Sequence, residues 1–387
     1  MYLSRAEELI LAGQKGETLR KAMEILVALG DIYGADRLIP IKSVQVAGVS
    51  FKNIGPAGLE WISDLKGRAV VPSILNPAGM DLQRWREMGI NPDFAREQEK
   101  VVEAYRRLGV SDDCTCVPYQ LRPGIAGRGD HLAWSESSAV SYANSVLGAK
   151  TNREGGPSAL ASSLLGITPL CGYHLDENRR PTHLVDVEQE LRGSEYGALG
   201  FLAGRIIKDG VPLFRLRAKP SLDELKALGA AMAASGSVAL YYVEGATPEP
   251  PKGEPDEKIA FDSRDIEEGS EGHPPEDADL VALGCPHCSP AELLRIADLL
   301  EGKRVRRELW VCTARKIALD HAEAVKRIEK SGARVICDTC MVVCPASERF
   351  KKIAVNSGKA LAYIPGLVRV QAGFGSTEEC IDVATKG

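Results

Sequence analysis

Apolar and polar residues alternate with helical spacing at the start of the chain. Ser4 and Glu7 form a capping-box pattern ahead of residues 8–11, and residues 18–32 keep apolar side chains at helical intervals, which predicts two helices. Short runs rich in valine and isoleucine follow at 39–49 and 69–74 and predict strands. Each ends in a loop of small residues, Ala47-Gly48-Val49-Ser50 and Asn76-Pro77-Ala78-Gly79, where bare backbone can lie against a ligand or simply turn. Glycine and serine then crowd residues 122–204. Gly193, Gly197, Gly200 and Gly204, spaced by four, three and four, predict closely packed helices, whereas the earlier members of this stretch, Ser137 and Ser138 among them, fit site loops.

Beyond a strand at 241–245, residues 246–276 are rich in Pro, Glu and Asp and read as an exposed acidic connection. The alternation then becomes regular. Strands are predicted at 280–283, 308–312, 334–337 and 353–356, with helices at 293–300 and 317–330, the first opened by a Ser289-Pro290-Ala291-Glu292 capping box. This β/α repeat predicts a largely parallel sheet, so the fold class is α/β. The expected division is an N-terminal and central α/β region at 1–245, the connection at 246–276 and a C-terminal α/β region at 277–387. Ligands of such sheets bind beyond the carboxyl ends of the strands, and Cys285, Cys312 and the cysteines of 337–344 all fall there.

Composition narrows the function classes. With 44% hydrophobic residues in 387 the chain can bury a large core, and no stretch approaches the ~20 apolar residues of a membrane span. The 48 basic and 53 acidic residues leave a formal charge of −5 with no basic block interleaved with aromatics, so nucleic acid is not an expected partner. Ten cysteines in this length are too sparse for a disulfide framework, and residues 1–13 carry Arg5, Glu7 and Glu8 where a secretory leader would be apolar. A reducing, cytoplasmic location is expected.

Seven of the cysteines form three clusters: Cys114 and Cys116, Cys285 and Cys288, and Cys337, Cys340 and Cys344. Two C-x-x-C pairs would suit structural zinc, and Cys337-x-x-Cys340-x-x-x-Cys344-Pro345 partly echoes a ferredoxin run. A catalytic iron-sulfur cluster uses the pattern more fully. With three protein thiolates one iron keeps an open position and can act as a Lewis acid on a substrate hydroxyl. Cys171, Cys312 and Cys380 are candidates for inert core thiols. The helix opening at Ser289 would aim its positive end at the cluster or substrate, and His287 would orient a ligand or cap that helix. Ser137 and Ser138 precede a helical run, so hydroxyls and free N–H groups would meet a phosphate there, and Lys359 would add a point charge for phosphate or carboxylate.

The motifs Thr115-Cys116-Val117-Pro118-Tyr119, Gly284-Cys285-Pro286-His287, Asp338-Thr339-Cys340-Met341-Val342-Val343 and the segment from Gly127 to Ala139 together resemble those of the aconitase X family over essentially the whole chain. The resemblance implies an aconitase-like multi-domain architecture, with parallel or mixed sheets flanked by helices, and a hydro-lyase. Because the chain begins directly in the large part of the family's pattern, the two-subunit archaeal type is favoured. That type implies dehydration of (R)-mevalonate 5-phosphate to trans-anhydromevalonate 5-phosphate, with a separate small subunit supplying the base. By the same resemblance Cys116, Cys285 and Cys340 bind the cluster, expected as [4Fe-4S], with Cys344 an alternative to Cys340. Substrate contacts fall on Gly48, Val49, Ser50, Asn76, Pro77, Ser137, Ser138 and Lys359. The competing readings are a cis-3-hydroxy-L-proline dehydratase and a zinc-stabilised binding protein without chemistry.

Overall fold

Parallel strands cannot be joined by a tight turn, and this chain connects most of its strands through helices in three successive stretches. In the computed structural model, which describes residues 1–249, 252–269 and 273–386, each stretch builds one parallel sheet. The first has the order Ser73–Leu75, Val44–Val46, Ala133–Trp134. The second runs Tyr242–Val243, Pro212–Arg215, His183–Val187, Glu257–Phe261. The third runs Arg334–Cys337, Glu308–Thr313, Leu280–Cys288, Lys352–Val355, Gln371–Phe374. Its central strand, Leu280–Cys288, is buried along its entire length, as expected for a strand covered on both faces.

Several sequence expectations meet a different outcome. The 39–49 run splits: Leu38–Pro40 pairs antiparallel with Ile167–Pro169, and Val44–Val46 is the middle of the first parallel sheet. Pro40 has no N–H to extend a ladder, which suits a strand end. The 317–330 helix is two, Arg315–Asp320 and Ala322–Lys330, broken at His321. Within 246–276, residues 250, 251 and 270–272 lie outside the described residues. The remainder is not a bare connection, because Glu257–Phe261 pairs with His183–Val187, and Phe261 and Ile266 are buried in the core shared with the third sheet. The strand Gln371–Phe374 completes the third sheet beyond the four predicted.

Other expectations hold. Capping boxes form at Ser4/Glu7 and Ser289/Glu292. Gly193 lies ahead of helix Glu195–Ile207, outside its packing, and Gly197 packs on Gly358, while the helix presses Gly200 and Gly204 onto helix Leu222–Ser235, where a Cβ at Gly200 would stand 2.4 Å from the Leu228 carbonyl oxygen. Only a glycine fits that approach. Among the described residues no helix is long and apolar enough to cross a membrane.

Candidate functional site

The three cysteine motifs meet around one imidazole. His287 is fully buried two residues after Cys285, and its backbone N–H donates to Cys116 Sγ at 3.2 Å. Its Nε2 lies 2.9 Å from the carbonyl oxygen of Thr339, the residue before Cys340. A carbonyl only accepts, so Nε2 carries the proton, and Nδ1 accepts from the hydroxyl of Thr115, the residue before Cys116, at 3.1 Å. That hydroxyl accepts in turn from the Val117 N–H. Burial drives the His287 pKa down to about 4, so the ring is neutral and its tautomer is set by these two partners. His287 therefore ties the three loops together and does not cap the following helix.

Cys116, Cys285 and Cys340 are buried, free thiols, and each lies within electrostatic reach of the other two. Burial pushes Cys116 up to about 12 and Cys285 well above its ordinary value; Cys340 is also raised by burial, against backbone N–H groups of Val342 and Val343 aimed at its sulfur. Among the described residues no three His, Cys, Asp or Glu side chains close around a point that would hold a single metal ion. Mononuclear zinc would need its sulfurs about 2.3 Å from one atom. A polynuclear cluster, with each thiolate on a different iron, asks only for convergence, buried sulfur and N–H donors, and these residues supply all three. Gly284 makes the convergence possible: at φ +92° a Cβ would stand 2.1 Å from the Cys312 carbonyl oxygen.

Beside the thiols lies a buried ion pair. Lys359, in helix Gly358–Tyr363, binds the carboxylate of Glu136 through Nζ and also donates to Ser138 Oγ at 3.0 Å. Both side chains are less than a tenth exposed. Burial alone would raise the Glu136 carboxyl, but the Lys359 charge and hydrogen bonds from Lys359, Ser138 and the Ala139 N–H outweigh it and hold the pKa below the usual value. Burial alone would lower the Lys359 ammonium, and the Glu136 charge reverses that. The pair is ionised. Lys359 is also close enough to Cys116 and Cys285 to oppose the upward push on their thiols. Ser137 and Ser138 donate to the two oxygens of Glu136 at 3.2 and 2.5 Å, and Tyr363 donates to Ser137 at 3.1 Å. Glu136 is the N-cap of helix Ser137–Ser145, accepting from the Ala139 N–H at 2.8 Å. Within the chain this helix start is occupied by the Glu136 carboxylate, which sequence reasoning missed. The signal was its place directly before Ser137-Ser138.

The loops of the first sheet reach the same place from its carboxyl edge. Gln98, fully buried, accepts from the Phe51 and Gly79 N–H groups at 2.9 Å each and donates to the Val49 carbonyl at 2.9 Å, locking Gly48-Val49-Ser50 to the loop that holds Asn76 and Pro77. Ser50 donates to the Val343 carbonyl at 3.2 Å, and the Ala78 N–H donates to the Asp338 carbonyl at 2.7 Å, which joins both loops to the Cys340 motif. The Asn76 side-chain oxygen is buried without a partner among the described residues. Asp338 has φ +63°, and its carboxylate, with that of Asp81, clamps Arg315 at 2.5 and 2.6 Å while Asp81 also accepts from the Cys337 N–H at 2.9 Å. This network fixes the Cys337–Cys340 turn. It too was missed, because its members are far apart in sequence.

Other cysteines sit differently. Cys344 has Cys340, Arg349 and Lys52 as its charged surroundings. Cys312, expected to be inert, lies in electrostatic reach of Cys340, Cys288 and Cys285; Cys380 is a buried core thiol. The helix opened by Ser289 does not present a free positive end: Ser289 donates to Asp223 at 2.7 Å, and Glu292 takes both the Ser289 N–H and buried Lys226. A cavity of about 220 Å³ lined by Lys226, Glu292, Cys285 and Ser357 adjoins this network.

Comparison with known proteins identifies the family of the chain. Family models described as aconitase X first, second and third domain match residues 1–177, 181–271 and 278–386, and each matched segment contains one of the parallel sheets. The chain is 58% identical to the phosphomevalonate dehydratase large subunit of Methanosarcina mazei, over 100% of this chain and 98% of that protein. It is 34% identical to a cis-3-hydroxy-L-proline dehydratase of Pseudomonas aeruginosa, over 100% of this chain and 70% of the relative. The holo-form crystal structure of aconitase X from Thermococcus kodakaraensis superposes with a TM-score of 0.92 at 44% identity, covering 99% of this chain and 100% of that one. The chain belongs to the aconitase X family.

Proposed function

We propose that this chain is the large, catalytic subunit of a phosphomevalonate dehydratase. In this reading a cytoplasmic hydro-lyase of the archaeal mevalonate pathway removes water from (R)-mevalonate 5-phosphate to give trans-anhydromevalonate 5-phosphate. The observation that carries it is the gathering of Thr115-Cys116, Cys285 and Thr339-Cys340 on His287, beside the Glu136–Lys359 pair. The stronger identity to the archaeal large subunit than to the hydroxyproline enzyme supports the phosphorylated substrate.

Cys116, Cys285 and Cys340 would hold a [4Fe-4S] cluster. When bound, the cluster supplies Lewis acidity toward the leaving 3-hydroxyl. The chain's own residues do the rest. From the Cys285 loop, His287 orients the Cys116 and Cys340 loops through its ring and holds Cys116 again through its backbone N–H. Lys359 faces the reacting end, where negative charge grows on the enolate-like oxygens as the proton leaves the carbon next to the carboxylate. That proton is poorly acidic beside an ionised carboxylate, so stabilising this charge in a buried site is the main demand on the protein. Gly48, Val49, Ser50, Asn76 and Pro77 would line the substrate on the opposite side, and a small subunit would bring the base.

Anaerobic preparation of Cys116→Ser, Cys285→Ser and Cys340→Ser tests the ligand set. Each should lose the visible iron-sulfur absorption and the dehydratase activity, whereas Cys171→Ser keeps both. Stoichiometric zinc without iron in the wild type would overturn the cluster.

A further inference from the structure

Mevalonate 5-phosphate carries two anionic ends, and Lys359 is already matched to a buried carboxylate. A phosphate needs a second cation. Of the described cations near the carboxyl edge of the first sheet, Lys52 is paired with Glu348 at 2.6 Å, Arg315 is held by Asp81 and Asp338, and Arg153 pairs with no carboxylate among the described residues.

Arg153 is exposed and lies just past the end of the strand Ala133–Trp134, through a parallel bridge to Trp134 and a 2.9 Å hydrogen bond from the Glu154 N–H to the Trp134 carbonyl. The segment then presses on the first substrate loop, since a Cβ at Gly156 would stand 2.7 Å from the Ala47 carbonyl oxygen. The guanidinium is aimed at the site by one contact. Its Nη2 donates to the Tyr363 hydroxyl at 3.2 Å, Tyr363 donates to Ser137, and Ser137 donates to Glu136, the partner of Lys359. Every donor in this line points inward. Among the described residues the guanidinium makes no other side-chain hydrogen bond, and Arg153 lines a cavity of about 450 Å³ with Asn152, Glu154 and Ser158.

We propose that Arg153 is a specificity-determining residue that takes the phosphate of the substrate in a forked, charge-assisted contact, leaving Lys359, Ser137 and Ser138 to the reacting carboxylate end. This rests on the proposed function. A planar guanidinium with free N–H groups matches phosphate oxygens two at a time, and water at the rim leaves it unpaired at little cost until substrate arrives.

The test uses the anaerobically assembled two-subunit enzyme. Arg153→Met should raise the KM for (R)-mevalonate 5-phosphate about ten- to a hundredfold while kcat stays within about threefold, and Arg153→Lys should recover part of the loss. Inhibition by unphosphorylated (R)-mevalonate should not change, and iron content and thermal midpoint should match the wild type. An unchanged KM, or equal losses for the phosphorylated and unphosphorylated compounds, overturns the assignment of Arg153 alone. A wild-type enzyme with no preference for the phosphorylated compound overturns the functional reading and this inference together.

Discussion

Removing the charge of Lys359 should cost more than its share of substrate binding, because the pair it makes with Glu136 is buried. In Lys359→Met the Glu136 carboxylate keeps only Ser137, Ser138 and the Ala139 N–H as donors, in a place with almost no solvent. Truncating one partner of a buried pair typically costs about 3–5 kcal/mol, and a domain of this general size loses roughly 2–4 °C per kcal/mol, so a fall of about 6–20 °C in Tm is expected. Glu136→Gln should be destabilising for the mirror reason. The double variant Glu136→Gln/Lys359→Met removes both charges and should be less destabilised than the sum of the singles by about 0.5–3 kcal/mol, as expected for side chains in direct contact. Thermal unfolding followed by circular dichroism, on the four members of this cycle prepared identically, reads the coupling. If Lys359→Met shifts Tm by less than 2 °C, or if the two single losses simply add, the pair is not the ionised, buried unit described above.

Three further outcomes follow from packing, polar satisfaction and titration. Gly284→Ala places a methyl 2.1 Å from the Cys312 carbonyl oxygen at a positive φ, so the loop of Cys285 must move; anaerobic iron content should fall well below wild type, and full loading would contradict the close approach. Gln98→Leu strands two N–H donors and one carbonyl of the substrate loops, at about 1–3 kcal/mol for each unsatisfied group; KM for the phosphorylated substrate should rise more than kcat falls, and unchanged kinetics would mean that the loops are held by other contacts. His174, buried against His131, has its pKa lowered by burial from 6.5 to about 3. The unfolded chain therefore takes up a proton below pH 6.5 that the folded one refuses until about pH 3, and stability should fall by about 1 kcal/mol between pH 7.5 and 5.5 on this account. His174→Gln should flatten that part of the profile; an unaltered slope would remove His174 as its source.

Local signals were readable where sequence neighbours determine the outcome. The capping boxes at Ser4 and Ser289, the close-packed face of Gly200 and Gly204, and the C-terminal β/α alternation all depend on spacing within a few residues. The cysteine motifs stood out because they sit in small-residue loops at strand ends. The partners that organise the site did not. Glu136 looks like an ordinary acidic residue until Lys359, 223 positions away, is folded against it. Asp81 and Arg315 are separated by 234 positions, and Gln98 joins two loops from within a helix whose outer face is charged. Arg153 is informative only because its neighbours leave it without a counter-charge. The strand Gln371–Phe374 is four residues long with a glycine inside, too short for a periodic pattern to show. Burial of Phe261 and Ile266 likewise depends on a sheet that forms from strands far away in sequence.

The central claim is the dehydration of a phosphorylated hydroxy acid, and one competition assay addresses it directly. The chain, loaded with iron and sulfide under anaerobic conditions and mixed with its small subunit, is given equal concentrations of (R)-mevalonate 5-phosphate and cis-3-hydroxy-L-proline, and both products are followed by mass spectrometry as loss of one water. The account predicts trans-anhydromevalonate 5-phosphate as the dominant product, with no turnover when the small subunit is left out. Preferential consumption of hydroxyproline, or no water lost from either compound by the loaded, assembled protein, would contradict it.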